Sequence, residues 1–141
     1  MKKTTLILTI SILAGAADLM TGICLMLVPS FTLGMMKVEV DPASLVYIRY
    51  IGAFVFAVGS SYLAGILPAV RSSDWSPLRM VWLLTAWIRL VICLFTGINI
   101  MSGSLEPAWI SVPLTDGFLA LLQGGWLLLG TWPNREGGGV S

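Results

Sequence analysis

The stretch TAWIRLVICL, Thr85–Leu94, places an arginine, Arg89, in the middle of an apolar run that extends over residues 78–101. A run of about 20 apolar residues is long enough to cross the hydrocarbon core of a bilayer as a helix. A charge at the centre of such a helix costs about 2.5–3.5 kcal/mol on insertion scales, so it normally faces a partner or water. What neutralises Arg89 therefore decides how the chain folds.

The composition places the whole chain in a membrane. Of its 141 residues 57% are hydrophobic and only 11% are charged, against about 25% charged in soluble domains. The net charge of +1 comes without a clustered basic face, which excludes nucleic acid as a partner. With no histidine in the sequence, we also expect no histidine-ligated haem or zinc.

Four apolar runs are long enough to span. They cover residues 4–28, 45–67, 78–101 and 112–131. Because lipid satisfies no backbone polar group, each is predicted to be a helix. The predicted fold is all-α: a polytopic four-transmembrane-helix bundle over residues 1–132, with a flexible cytoplasmic tail over residues 133–141.

Prolines and capping residues give the predicted helix ends. Asp41 and Ser76 each precede a proline and are predicted to cap the second and third helices. Pro29 is predicted to end the first helix and Pro68 the second. Residues 30–40, which are too few to span, are predicted to lie along the outer membrane surface.

The distribution of lysine and arginine predicts the orientation. With a cytoplasmic N-terminus, the inner segments hold all but one of the flanking cations, namely Lys2, Lys3, Arg71, Arg79 and Arg135, and the outer loops hold Lys37. The positive-inside rule then gives an N-in/C-in protein of the cell inner (plasma) membrane. Ala14-Gly15-Ala16 resembles a signal-peptide cleavage site, but the apolar run continues to Val28, so we expect an uncleaved first helix.

Four charged residues lie in the outer half of the predicted bundle, one on each helix: Asp18, Arg49, Arg89 and Asp116. With a rise of about 1.5 Å per residue, Asp18 and Arg89 lie at matching depths near mid-membrane, and Arg49 and Asp116 lie about one turn from the outer surface. We therefore predict that Asp18 pairs with Arg89 and Arg49 with Asp116. The residues spaced four apart from each charge are small, as at helix contacts.

These charges have two interpretations. Matched pairs of opposite sign are typical of a structural network, whereas intramembrane charges are also candidates for function. In the functional hypothesis, Asp18, Arg49, Arg89 and Asp116 bind the polar head of an apolar ligand from the outer leaflet, and Arg89 donates to a carbonyl or anionic head. The inner half is predicted to offer only apolar and small side chains, and the ligand tail is predicted to lie near Trp87 and Trp126. No catalytic or metal-binding residue is predicted, and Cys24 and Cys93 are isolated.

The chain resembles the DoxX-like family of small four-helix integral membrane proteins. The resemblance rests on GICLMLVPS at the end of the first span, FTLGMM after it, RYIGAFVFAVG opening the second span and WIRL in the third. It implies the four-helix architecture, and it matches Arg49, Gly52 and Gly59 to the arginine and glycines of the second span. The name-giving members are implied to be membrane subunits of a quinone-linked oxidoreductase, but this sequence shows no redox centre.

Three functions stay open at this stage. The first is a non-catalytic accessory subunit or a binder of a quinone- or lipid-like ligand, with no other cofactor. The second is a small proton-coupled transporter, which the predicted pairing of Asp18 with Arg89 disfavours. The third is a scaffold that binds a membrane-protein partner, or a second copy of itself, through the row Ala53, Ala57, Ser61 and Gly65.

Overall fold

The computed structural model describes residues 3–130 and 132–133, and in this part of the chain helices and short connections are the only elements. The five α-helices are α1 Lys3–Leu27, α2 Pro29–Met35, α3 Leu45–Ser72, α4 Ser76–Met101 and α5 Ser111–Leu128. Single 3-10 turns, Pro42–Ser44 and Pro107–Ile110, precede α3 and α5. The predicted all-α class is therefore confirmed, whereas the tail at residues 134–141 lies outside the described residues.

Three of the helices are long and apolar enough to cross a membrane: Lys3–Leu27, Pro42–Ser72 with its leading turn, and Ser76–Met101. The predicted fourth span coincides with α5, whose 18 residues give a length of about 27 Å. α5 also contains Asp116 and Gln123, which lower its hydropathy. It is not among the three, so a fourth crossing stays a prediction.

The helix ends agree with the sequence in part. The Asp41 carboxylate accepts a hydrogen bond from the Ala43 N–H at 3.1 Å, as an N-terminal cap does. The prediction that Pro68 ends the second helix is wrong, because α3 continues to Ser72 and the Ser72 hydroxyl bonds the Pro68 carbonyl. A proline removes one hydrogen bond to the preceding turn without stopping the chain beyond it. At α4, Asp74 rather than Ser76 supplies the capping oxygen, which accepts from the Ser76 N–H at 3.2 Å.

Glycines determine the contact between α1 and α3. A Cβ added at Gly22 would lie 2.5 Å from the Phe56 nitrogen, and one at Gly59 would lie 2.6 Å from the Leu19 nitrogen. The two backbones therefore touch, as small residues allow between membrane helices. The packing face of α3 consists of Ile48, Gly52, Gly59, Tyr62, Gly65 and Ala69.

The prediction that the row of small residues through Arg49 packs against neighbouring helices is mostly wrong. Of its members Gly65 is buried, against Leu78 of α4, but Ala53 and Ala57 are exposed. The charge of Arg49 does not require its row to pack against another helix, because Arg49 itself is exposed. The face that packs is instead the one with the glycines seven residues apart, since these allow the closest approach.

The four long helices form a ring with three close sides. α1 packs on α3, α3 on α4 and α4 on α5, whereas within the described residues no Cα atom of α1 comes within 8 Å of one in α4 or α5. We call the open side between α1 and α5 the α1–α5 seam. Across the ring, α1 lies opposite α4, and α3 lies opposite α5.

The helix α2 packs against the ends of α1 and α3. Leu33 and Val38 are buried in a small cluster with Leu25 and Ile48. Residues 30–40 thus cover one end of the ring. Whether this end lies at the outer membrane surface stays a prediction.

Candidate functional site

Arg89 lies at the centre of the ring and contacts two carboxylates. It is 4% exposed. Its Nη1 donates to Asp116 Oδ1 at 2.6 Å, and its Nη2 donates to Asp18 Oδ2. We call these three residues the Asp18–Arg89–Asp116 triad, which joins α1, α4 and α5 through side chains.

The triad corrects one of the two predicted pairs. Asp18 and Arg89 are in contact, as their matched depths predict. The predicted pair of Arg49 with Asp116 is wrong, because Asp116 pairs with Arg89 and Arg49 is exposed. The face of α3 that carries Arg49 points away from the centre of the ring, since the glycine face packs on α1. Depth alone could not give this direction.

The two aspartates lie at the edge of the triad and Arg89 at its centre. The aspartate side chains are each 15% exposed, against 5% for Arg89. Only one oxygen of each aspartate accepts from the arginine, and within the described residues the second oxygen accepts no hydrogen bond. Two acceptor oxygens are thus left at the α1–α5 seam.

The charges of the triad do not balance when both aspartates are ionised. Two carboxylates then face a single guanidinium, and this leaves an excess of one negative charge. An uncompensated buried charge is costly. The site therefore favours a positively charged or hydrogen-bond-donating group at the carboxylates and disfavours an anion.

One donor of Arg89 has no acceptor. Its Nε is buried and, in the described part of the chain, makes no hydrogen bond. A buried donor that stays unsatisfied costs about 1–3 kcal/mol, and more when the group is charged. Such an atom calls for an explanation, which is often a ligand or water.

A second polar cluster lies next to the triad along the helix axes. The Gln123 Nε2 donates to the Tyr62 hydroxyl at 2.5 Å, and the Tyr62 hydroxyl donates to Thr85 Oγ1 at 3.1 Å. Thr85 Oγ1 also lies 3.3 Å from Gln123 Oε1. All three side chains are buried, so this cluster connects α3, α4 and α5 without solvent.

A third polar contact between helices joins Trp82 and Ser11. It lies farther from the triad along the helix axes. The indole Nε1 of Trp82 donates to Ser11 Oγ at 2.8 Å, and both residues are fully buried. The prediction that the inner half of the bundle offers only apolar and small side chains is therefore wrong. Trp82 belongs to the core.

Sequence signals for these two clusters exist but are weak. Gln123 interrupts an apolar run, and Thr85 lies one turn from Arg89 on the same face. Tyr62 and Trp82 look like ordinary large side chains, and only their hydrogen bonds distinguish them.

The two tryptophans proposed to line the ligand tail differ in position. Trp87 is 65% exposed on the outside of the ring, which excludes it from an internal wall. Trp126 is half-buried, packs against the core cluster, and its indole Nε1 is buried with no partner among the described residues. Of the two, Trp126 stays a candidate for ligand contact.

Comparison with known protein families, with curated proteins and with solved structures finds no match to this chain.

Proposed function

We propose that the protein is a four-span protein of the cell inner (plasma) membrane with both termini in the cytoplasm. Three helices of spanning length support this architecture. α5 pairs closely with α4 and supplies Asp116 to the same guanidinium as α1, which favours its crossing alongside them. Lys3, Arg71 and Arg79 lie at the end of the ring opposite to Lys37, in agreement with the positive-inside rule.

This topology is tested by labelling. A cysteine placed at position 106, between α4 and α5, should react with a membrane-impermeant reagent in intact cells. A cysteine at position 74, between α3 and α4, is the matched control and should react only after lysis. Reaction of residue 74 alone in intact cells would reverse the orientation.

We propose that the protein binds an apolar, quinone- or lipid-like ligand by its polar head at the triad, and acts without catalysis as an accessory subunit. The observation that carries this proposal is the buried Nε of Arg89, a donor with no acceptor beside two free carboxylate oxygens. A polar head in the α1–α5 seam would supply the missing partners. The resemblance to DoxX-like proteins is compatible with such a role and stays a prediction.

The triad changes how the ligand would be held. Each Nη atom of Arg89 already donates to an aspartate, whereas Nε is the guanidinium nitrogen that has no partner among the described residues. Arg49 lies outside the triad and is exposed, so a contact with the ligand would have to come from the surface. The apolar tail would lie along the seam toward Trp126.

Copurification tests this function. Lipid extracts of the purified protein, analysed by mass spectrometry, should contain one ligand at a fixed stoichiometry. Arg89→Lys keeps a cation between the aspartates and removes Nε, so it should lower retention, whereas Arg49→Lys is the matched control and should not. Equal retention by a folded Arg89→Lys protein, or no ligand in the wild type, would contradict the proposal.

A proton-coupled transporter is the second candidate function. The predicted pairing of Asp18 with Arg89 disfavours it, because a paired carboxylate is not free to exchange a proton. In the structure, however, Arg89 is shared with Asp116. The extra carboxylate could exchange a proton. Reconstituted vesicles with an imposed pH gradient should then release protons when a cationic substrate is added, and Asp18→Asn should abolish the release. Asp41→Asn, at an exposed cap, is the control.

A further inference from the structure

We infer that the head group bound by the triad is a hydroxyl, a neutral group that accepts a hydrogen bond from Arg89 Nε and donates one to a carboxylate oxygen. The inference rests on the proposed ligand-binding function and specifies the chemistry of the ligand. The site has two sides, one that donates hydrogen bonds and one that accepts them.

The donating side is Arg89. Its side chain is 5% exposed, Nη1 and Nη2 each donate one hydrogen bond to an aspartate, and Nε donates none to a described residue. In the planar guanidinium the N–H of Nε points the same way as one N–H of Nη2. The unpartnered Nε therefore shares an edge of the guanidinium with Nη2, the atom that binds Asp18. The site thus requires an acceptor atom next to an aspartate.

The accepting side consists of the second oxygens of Asp18 and Asp116. Ionised carboxylates accept hydrogen bonds and donate none. Both side chains are 15% exposed and belong to the helices on either side of the α1–α5 seam, so an incoming group can reach them. A group that binds these oxygens must therefore donate a hydrogen bond to at least one of them.

Anionic, carbonyl and ammonium head groups each satisfy only one side. A phosphate or carboxylate would accept from Nε, but it would add negative charge to a site that already holds two carboxylates against one guanidinium. A bare carbonyl accepts but cannot donate, and an ammonium donates but cannot accept. A hydroxyl does both and adds no charge.

Hydroxyl heads of two sources fit this chemistry, a neutral glyceride and a reduced quinone. Two matched pairs of probes separate them: monoolein against methyl oleate, and decylubiquinol against decylubiquinone. The affinity of each for the full-length purified protein is measured by native mass spectrometry. Loss of one charge-assisted hydrogen bond corresponds to about a tenfold change in Kd, so the hydroxyl-bearing member of at least one pair should bind about tenfold more tightly.

The outcomes distinguish this inference from the proposed function. Tighter binding of monoolein points to a glyceride, and tighter binding of the quinol points to a quinone; either supports the hydroxyl. Equal affinity within both pairs overturns the hydroxyl and leaves ligand binding standing. If none of the four probes binds and no lipid copurifies, both proposals fail.

A variant locates the effect at the triad. Arg89→Lys removes Nε and should reduce the tenfold difference within the preferred pair, whereas Arg49→Lys should preserve it. A folded Arg89→Lys protein that keeps the full difference would overturn the assignment to Nε. Should Arg89→Lys fail to fold, Asp18→Leu and Asp116→Leu each remove one of the two acceptors, and an unchanged difference in both variants would overturn the assignment of the hydroxyl to the triad.

Discussion

α1 faces its neighbours in two different ways. On the α3 side its backbone touches the partner backbone at Gly22 and Gly59, with no space for a Cβ atom. On the other side its backbone stays more than 8 Å from α4 and α5, and side chains bridge the distance through the triad and the Ser11–Trp82 bond. The glycine contact excludes any ligand, whereas the polar side leaves carboxylate oxygens open at the seam. The proposed binding site is therefore on the second side.

The triad should be the more sensitive of the two to a single change. Arg89→Leu leaves two buried carboxylates without a counter-charge, and breaking a buried ion pair in this way costs about 3–5 kcal/mol. The loss is measured as the free energy of unfolding in a mixed-micelle titration. Asp18→Asn, which leaves one carboxylate with Arg89, should cost much less, at about 1 kcal/mol.

Double and triple variants check the charge balance. Adding Asp18→Asn to Arg89→Leu should recover part of the loss, and adding Asp116→Asn as well should recover more, because each step removes a stranded charge. Strictly additive losses would mean that the three side chains do not interact.

The glycine contact should respond to one added methyl group. A Cβ at Gly22 would lie 2.5 Å from the Phe56 nitrogen, which belongs to a helix backbone and cannot rotate away. Gly22→Ala should therefore destabilise the protein by about 1–3 kcal/mol, as overpacking does. Gly97→Ala is the matched control, since nothing lies within 4 Å of its added Cβ.

The control should be neutral, or stabilising by up to about 1 kcal/mol through helix propensity. Equal effects of the two substitutions in the same titration would show that α1 and α3 are not in backbone contact.

The sequence predicts the elements of this fold better than their faces. Apolar length places the helices within a few residues, and the need to neutralise Arg89 leads to Asp18. Depth is a one-dimensional quantity, however, so it could not show that Arg49 points outward or that Asp116 turns to Arg89. The direction of α3 follows from how closely two backbones approach at Gly52 and Gly59.

The buried hydrogen bonds of Tyr62 and Trp82 also could not be predicted from the sequence. Each requires a partner on a helix opposite in the ring, and nothing in the local sequence of one helix identifies that partner. Gln123 is the exception, because an amide in an apolar run requires one wherever it lies.

The polar cluster of Gln123 should be less costly to break than the triad. Gln123→Leu removes the donor to the Tyr62 hydroxyl and leaves neutral buried groups unpaired, which costs about 1–3 kcal/mol. Thr115→Ala is the control, because the Thr115 hydroxyl bonds only a carbonyl of its own helix. The same titration compares them, and a Gln123→Leu protein as stable as Thr115→Ala would remove this cluster from the polar side.

Substitution of Arg49 should have the smallest effect on stability. It also distinguishes the ion pairs of the structure from the pair predicted by matched membrane depth. If Arg49 pairs with Asp116, as matched depth suggests, then Arg49→Leu strands that carboxylate and its effect depends on whether Asp116 is present. In the structure Asp116 belongs to Arg89 and Arg49 is exposed, so Arg49→Leu should leave stability unchanged. The double variant Arg49→Leu/Asp116→Asn should then match Asp116→Asn alone, because residues that share no contact contribute additively. A coupling energy between positions 49 and 116 larger than that between 89 and 116 would restore the predicted pair. Asp116 would then face α3 and not the α1–α5 seam.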